Sequence, residues 1–237
     1  MALTRDALIQ NLLGENMLRL TQARNANEVS VEEFGRMYPA FFEAVFRTAQ
    51  ADISGIEGFG EFDENHQPSD RTFLDFVQNT FSQDVEGYWY HWREMFECTM
   101  LREDFFEEIY ARILKYAPYC TNQRYLVNGF AFFVAMATDG KQVSFLDWSR
   151  AGIMDYLIDF ATMDLNKPYL LIPERLAQYA AERGISIPDF RERYLCMAFY
   201  RGIDNLRWHA SIDDEESCTS IMRYLRELEE RIMRIEL

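Results

Sequence analysis

The sequence predicts a mainly α-helical domain with one small β-hairpin sheet, an α+β fold. Three observations lead there. Apolar residues recur at helical spacing over most of the chain. One stretch, between 125 and 147, switches to strand-like composition around the turn signal Thr138-Asp139-Gly140-Lys141. The chain has 237 residues, 49% hydrophobic and 15% aromatic, enough to bury one core.

Over 5–24, Leu8, Leu12, Leu13, Met17 and Leu20 fall near helical spacing and Gly14 suggests a break, so 1–30 is expected to be a helical segment ahead of a body over 31–237. A stronger helix is expected over 32–49, with Phe34, Tyr38, Phe41, Val45 and Phe46 on one side and Pro39 placed to kink it. Gly55, Gly58 and Gly60 in GIEGFGEF lack the strand-turn-helix surround of a dinucleotide fingerprint and read as a structural loop. Ser69 is placed to cap a helix running to about Phe81, whose stripe is Phe73, Phe76, Val77 and Phe81. The segment GYWYHWREMFE is dense in aromatics. Tyr90, His91 and Trp92 there are candidates for a cation-holding aromatic box, although such clusters are more often core. A further helix is expected over 104–117, stopped by Pro118.

Strands are expected at 125–127, 130–137 and 142–147, and past Ala151 the chain returns to helical spacing. Pro173 marks one helix start, Gly184 its end, and Pro188 opens the next. Ser211-x-x-Asp214 has the form of a capping box for the last helix. In that helix Ile221, Leu225, Leu228, Ile232 and Ile235 make a heptad seam, with Glu227/Arg231 and Glu230/Arg234 as i, i+4 pairs. A seam of two heptads suits a homodimer, but docking on the chain's own core is the commoner fate.

The formal net charge of −15 argues against a nucleic-acid partner, whose phosphates would be repelled, and leaves room for a cationic ligand or a basic protein. Much of the surplus acid simply solvates helix faces. The four cysteines are scattered and the three histidines have no metal-ligand spacing, so neither a disulfide framework nor a zinc site is expected. No run approaches a membrane span and the first residues lack a continuous apolar stretch, so a cytoplasmic location is the default expectation.

The chemistry-bearing pattern lies at 143–161. A hydrophobic strand ends in Asp147-Trp148, Asp155 follows eight residues later and Asp159 four further on. This resembles the metal-binding segment of the aminoglycoside phosphotransferase family, and of hygromycin B phosphotransferases in particular. The likeness extends from about Val31 to the last helix and includes Tyr90-His91-Trp92. It implies the helical C-lobe of a protein-kinase-like fold, with the N-terminal sheet lobe absent and 1–30 as a remnant of the link between lobes. The family carries a catalytic loop, His-x-Asp with an Asn five residues on. Here LVNGFAFFVAM puts Asn128 at the His position, Phe130 at the catalytic Asp and Ala135 at the Asn; an alternative gap placement puts Val134 there.

Phosphoryl transfer is mostly positioning and charge neutralisation, so each replacement has a consequence. Phe130 accepts no proton from a substrate hydroxyl, and neither Ala135 nor Val134 binds magnesium. Asp147 remains as a lone potential metal ligand, whereas magnesium wants carboxylates together with phosphates. Asp147 and Asp155 are candidate ligand-binding residues, but holding the loop is the commoner role for Asp155 and Asp159. The expectation is a degenerate relative with no cofactor, leaning away from enzymic activity, which binds a cationic small molecule or a protein partner. One alternative is a phosphotransferase using magnesium and ATP with its N-lobe supplied by another chain. The other is a homo-oligomeric interaction protein.

Overall fold

The computed structural model describes residues 18–19, 31–84, 89, 91–132, 136–138 and 141–236. The chain opens with β1 (Leu18–Arg19) and α1 (Val31–Ala49), then β2 (Phe59–Phe62), β3 (Pro68–Asp70) and α2 (Phe73–Thr80). The short α3 (Met95–Cys98) and α4 (Glu103–Tyr116) follow, with β4 (Tyr125–Val127), β5 (Met136–Thr138), β6 (Val143–Phe145) and β7 (Gly152–Met154). Four helices complete it: α5 (Leu157–Asn166), α6 (Ile172–Arg183), α7 (Phe190–Ser211) and α8 (Glu215–Met233).

The mainly helical expectation holds, and β5 and β6 pair antiparallel with Met136 opposite Phe145. β1 adds to β5 with Leu18 opposite Thr138, so these two residues are extended, not helical; the rest of 1–30 lies outside the described residues. A second sheet was not expected. Its order is β3-β2-β7-β4, all antiparallel. The end of the glycine-rich segment, from Phe59, is thus a strand, with Gly60 opposite Ile153, while Gly55 and Gly58 precede it in the loop; the chain past Ala151 passes through β7 before it turns helical. Of the run 130–137, only Met136–Thr138 is seen as strand; Phe130 to Phe132 are not, and 133–135 lie outside the described residues.

Two caps also differ. Ser69 lies inside β3 and donates its hydroxyl to Asp70 at 2.6 Å, and Thr72 caps α2, accepting a hydrogen bond from the Asp75 amide at 3.1 Å. Ser211 ends α7 and donates to the Trp208 carbonyl, while Asp214 is itself the cap of α8, accepting from the Ser217 amide at 3.0 Å. A carboxylate at that position also suits the positive end of the helix dipole.

The core is built around α7. Every residue of 193–204 is buried, as expected of a helix covered on all sides, and it packs on α4, α5 and α8. The seam of α8 is absorbed in this way, with Leu225, Leu228 and Ile232 at 1% exposure or less. Gly202 permits the close approach: a Cβ there would lie 2.3 Å from Leu225 Cδ2. Aromatic edges fill the other end, where Phe42 meets Phe160 at 5.1 Å and Tyr179 at 5.3 Å. Of the expected helix pairs, Glu230 and Arg234 do meet, whereas Arg231 turns inward to Asp164 and Glu174.

Candidate functional site

The loop that leaves β4 is held from behind by the first turn of α5. The Asn128 and Gly129 amides donate to the two Asp159 carboxylate oxygens at 3.0 and 2.8 Å. Asp159 is fully buried, and burial pushes its carboxyl up from 3.8 to about 6, against the opposing pull of the two amides and Arg201. Gly129 has φ +70°, and a Cβ there would lie 2.0 Å from the Arg150 carbonyl oxygen, so glycine is required. Asn128 is also buried. Its amide nitrogen donates to the Asp147 carbonyl at 2.5 Å and its side-chain oxygen accepts from the Phe130 amide at 3.1 Å.

Asp155 lies just before α5 and makes a bidentate pair with Arg193, at 2.7 and 3.0 Å, in which both side chains are at 1% exposure or less. It also accepts from the Leu157 amide, and Arg193 donates to the Pro188 carbonyl. A third buried carboxylate, Asp164, accepts from Arg231 at 3.0 and 3.1 Å and from the Tyr224 hydroxyl at 2.6 Å. Burial raises its carboxyl above the ordinary value against the opposing charge of Arg231.

In front of the loop the chemistry is different. Phe130 and Phe132 meet with ring centroids 4.8 Å apart at 61°. They line a cavity of about 660 Å³ together with Glu61, Arg150, Asp204 and Trp208. Arg150 is pinned: two of its nitrogens donate to Glu61 Oε1 at 2.9 and 2.5 Å and the third to Asp204 Oδ2 at 2.5 Å. Arg201 donates to the same Asp204 oxygen at 3.0 Å and to the Gly129 carbonyl at 2.8 Å, joining this wall to the loop. Phe132, Asn166, Asn205 and His209 are shared with an adjoining cleft of about 980 Å³ that runs between α5 and α8. His209 Nδ1 lies 2.9 Å from Asp214 Oδ2.

The anticipated site residues therefore separate. Asn128 and Phe130 are on the loop, and Asp147 is beside it, half-buried, with Oδ1 accepting from the Ser149 amide at 2.9 Å. Asp155 is sequestered with Arg193. Trp92 is in the core, donating to the Phe81 carbonyl at 3.0 Å and packed 4.3 Å from the Phe106 ring. His91 is exposed at the other end of the same turn, 3.5 Å from Glu94. Neither His91 nor Trp92 lines the cavity; Tyr90 and Ala135 lie outside the described residues. Sequence reasoning missed Glu61, Arg150, Asp204 and the ring of Phe132. One signal was available: Arg201 and Asp204 are charged residues three apart in an otherwise apolar helix segment, which calls for buried partners.

Magnesium at a nucleotide site needs carboxylates together with phosphate oxygens. Asp147 is one carboxylate beside a carbonyl already taken by Asn128, and Asp155 and Asp159 are engaged by Arg193 and the loop amides. Among the described residues no group of three His, Cys, Asp or Glu could hold a metal. These residues do not fit a magnesium–nucleotide centre.

No family model matches the chain. It is 25% identical to hygromycin-B 4-O-kinase of Escherichia coli over 142 residues, 60% of this chain and 40% of that protein's length. The match thus spans less than half of the curated relative. Among solved structures, aminoglycoside phosphotransferase APH(4)-Ia superposes well. A thermostable mutant in ternary complex with AMP-PNP and hygromycin B gives a TM-score of 0.67 at 21% identity, covering 87% of this chain and 68% of that one. The apo form of a thermostable mutant gives 0.66 at 21% identity, covering 86% and 68%. The buried carboxylates behind the loop, the hairpin beside it and the helical body around α7 are thus set in a shared architecture: this chain has the aminoglycoside phosphotransferase fold and resembles the hygromycin B phosphotransferases in sequence.

Proposed function

We propose that this protein is a non-catalytic relative of the aminoglycoside phosphotransferases that binds a cationic small molecule in the cleft in front of the 128–132 loop. The observation that carries this reading is the pair of phenylalanine rings at the loop. Where the resembling family places a carboxylate to take a hydroxyl proton, Phe130 offers only carbon, and with Phe132 it walls a cavity of about 660 Å³. A general base must reach the proton it removes, and a phenyl ring has no site for it. The space for a ligand remains after the group for chemistry is gone. The acidic balance of the chain, −15, favours a positive ligand over a nucleotide.

The test is thermal unfolding with Mg-ATP, Mg-GTP, a panel of aminoglycosides and a set of simple amines, each at low and high salt. A ligand at a hundred times its Kd adds about 2.7 kcal/mol to stability, a readily measured rise in Tm. The expected result is a shift with at least one amine and none with either nucleotide. A shift with Mg-nucleotide would restore the kinase reading, and silence from every amine would remove the cation-binding one.

A further inference from the structure

We propose that the ligand is a primary or secondary amine, read where the two cavities meet by an N–H bond to Nε2 of His209. This rests on the cation-binding reading above and narrows it to a chemical class, an ammonium that still carries hydrogen-bond donors.

The meeting point is built from four residues. Phe132, Asn166 at the end of α5, and Asn205 and His209 of α7 line both cavities. Asn205 and His209 are four apart and so share one face of α7. Elsewhere in the walls the hydrogen-bonding groups are largely engaged: Arg150 with Glu61 and Asp204, Arg201 with Asp204, and Tyr224 and Arg231 with Asp164. At the meeting point they are open. Among the described residues, the side-chain amides of Asn166 and Asn205 make no hydrogen bond within the chain.

The second observation is the state of the imidazole. Nδ1 of His209 lies 2.9 Å from Asp214 Oδ2. The hydroxyl and amide of Ser217, and then His209, hold the Asp214 carboxyl below its ordinary value, so it is ionised and can only accept. The proton between them is therefore on Nδ1, and the neutral ring is left with Nε2 as a lone-pair acceptor. Among the described residues Nε2 has no partner, and the side chain is 22% exposed. A lone pair of this kind takes a charge-assisted bond from an N–H of a cation. An ammonium with every hydrogen replaced by carbon leaves Nε2 and both side-chain amides unmatched.

Acid turns Nε2 into a donor and gives the ring a positive charge, so affinity for an amine falls with pH. Asp214 is the charged group bonded to the ring. The others reach the cavities from each surrounding element. Glu61 of β2, Arg150 ahead of β7 and Asp204 of α7 are paired among themselves, and Arg231 of α8 is tied to Asp164 and Glu174. Glu216, Arg223 and Glu227 of α8 are exposed, and Lys167 follows α5.

The deciding experiment is long-range proton–nitrogen NMR of the whole isotope-labelled chain, titrated with benzylamine and with benzyltrimethylammonium at about pH 8 and about pH 5.5. The chain has three histidines, and the signals lost in His209→Gln assign the ring. At the higher pH the expected ring has a proton on Nδ1 and none on Nε2. Benzylamine is expected to move the Nε2 signal, and the trimethyl analogue to bind at least about tenfold more weakly. Acid is expected to weaken benzylamine by about tenfold or more in the natural chain and by less than about twofold in His209→Gln, whose side-chain amide keeps an acceptor that does not titrate. Asp214→Asn keeps a good helix cap but can also donate to the ring, so it is expected to shift the tautomer and weaken benzylamine at the higher pH. A proton on Nε2 at the higher pH, a trimethyl analogue that binds as well as benzylamine, or an unchanged loss with acid in His209→Gln would overturn the inference while the cation-binding cleft stands. If neither amine binds, both fall.

Discussion

The two sides of the 128–132 loop obey opposite rules. Behind it, the carboxylates are buried and matched: Asp159 with two backbone amides, Asp155 with Arg193, Asp164 with Arg231. In front of it, two phenyl rings face a cavity beside charges that are only partly enclosed, with Glu61 at 30% and Arg150 at 29% side-chain exposure. A buried carboxylate that loses its partner destabilises the whole domain, whereas a residue facing a cavity can change with little effect on folding. The difference explains how side chains in front of the loop can be exchanged while the geometry behind it is kept.

The contrast can be broken by substitution, and the largest effect belongs to the rear. Asp155→Ala strands the Arg193 guanidinium in the core and should destabilise by about 3–5 kcal/mol, read by urea unfolding. A loss near zero would mean that the pair contributes nothing to holding α7 against the start of α5. Next comes Asp159, through its proton. Because its folded value is raised from 3.8 to about 6, the native state holds a proton between those limits that the unfolded chain has released. Its contribution is therefore fully present below about pH 4 and lost as pH rises through about 6. The stability gap between the natural chain and Asp159→Asn should widen on acidification across that window by about 3 kcal/mol. A gap that is flat with pH would show that Asp159 does not titrate there.

Gly129→Ala, which sets a methyl against the Arg150 carbonyl at a positive φ, should cost about 2 kcal/mol in the same assay. The smallest change is at the front. Asp147→Ala removes one acceptor for the Ser149 amide and should cost about 1 kcal/mol, with no effect of added magnesium on Tm. A magnesium-dependent difference at Asp147 would make it a metal ligand and blur the distinction between the two faces.

The sequence made the helices legible because their apolar stripes repeat over several turns: α1, α4, α7 and α8 lie within a few residues of expectation. The hairpin β5–β6 announced itself through its turn residues. The four-stranded sheet did not, because its strands have only three or four residues, too few for alternation to show, and Gly60 meets Ile153 from far along the chain. At the site, the spacing of Asp147, Asp155 and Asp159 was visible, but their partners were not. Arg193 is 38 residues from Asp155, and Arg150 is 89 from Glu61. Periodicity carries no information on such pairings; only the packed core brings them together. Trp92 was a fair candidate as an aromatic near a histidine, yet its stacking on Phe106 makes it part of that core.

The long reach of the rear pairs also governs how the molecule opens. Arg231 of α8 ties to Asp164 of α5 across 67 residues, Arg193 of α7 to Asp155 at the start of α5 across 38, and Arg201 of α7 to the loop across 72. Because these ties cross-link helices from distant parts of the chain, α5, α7 and α8 are not free to fray one at a time. Their amide protons should exchange with solvent only when the whole domain unfolds, and at one common free energy. The cleft thus rests on the slowest-exchanging part of the protein, and a ligand entering it has little backbone left to order.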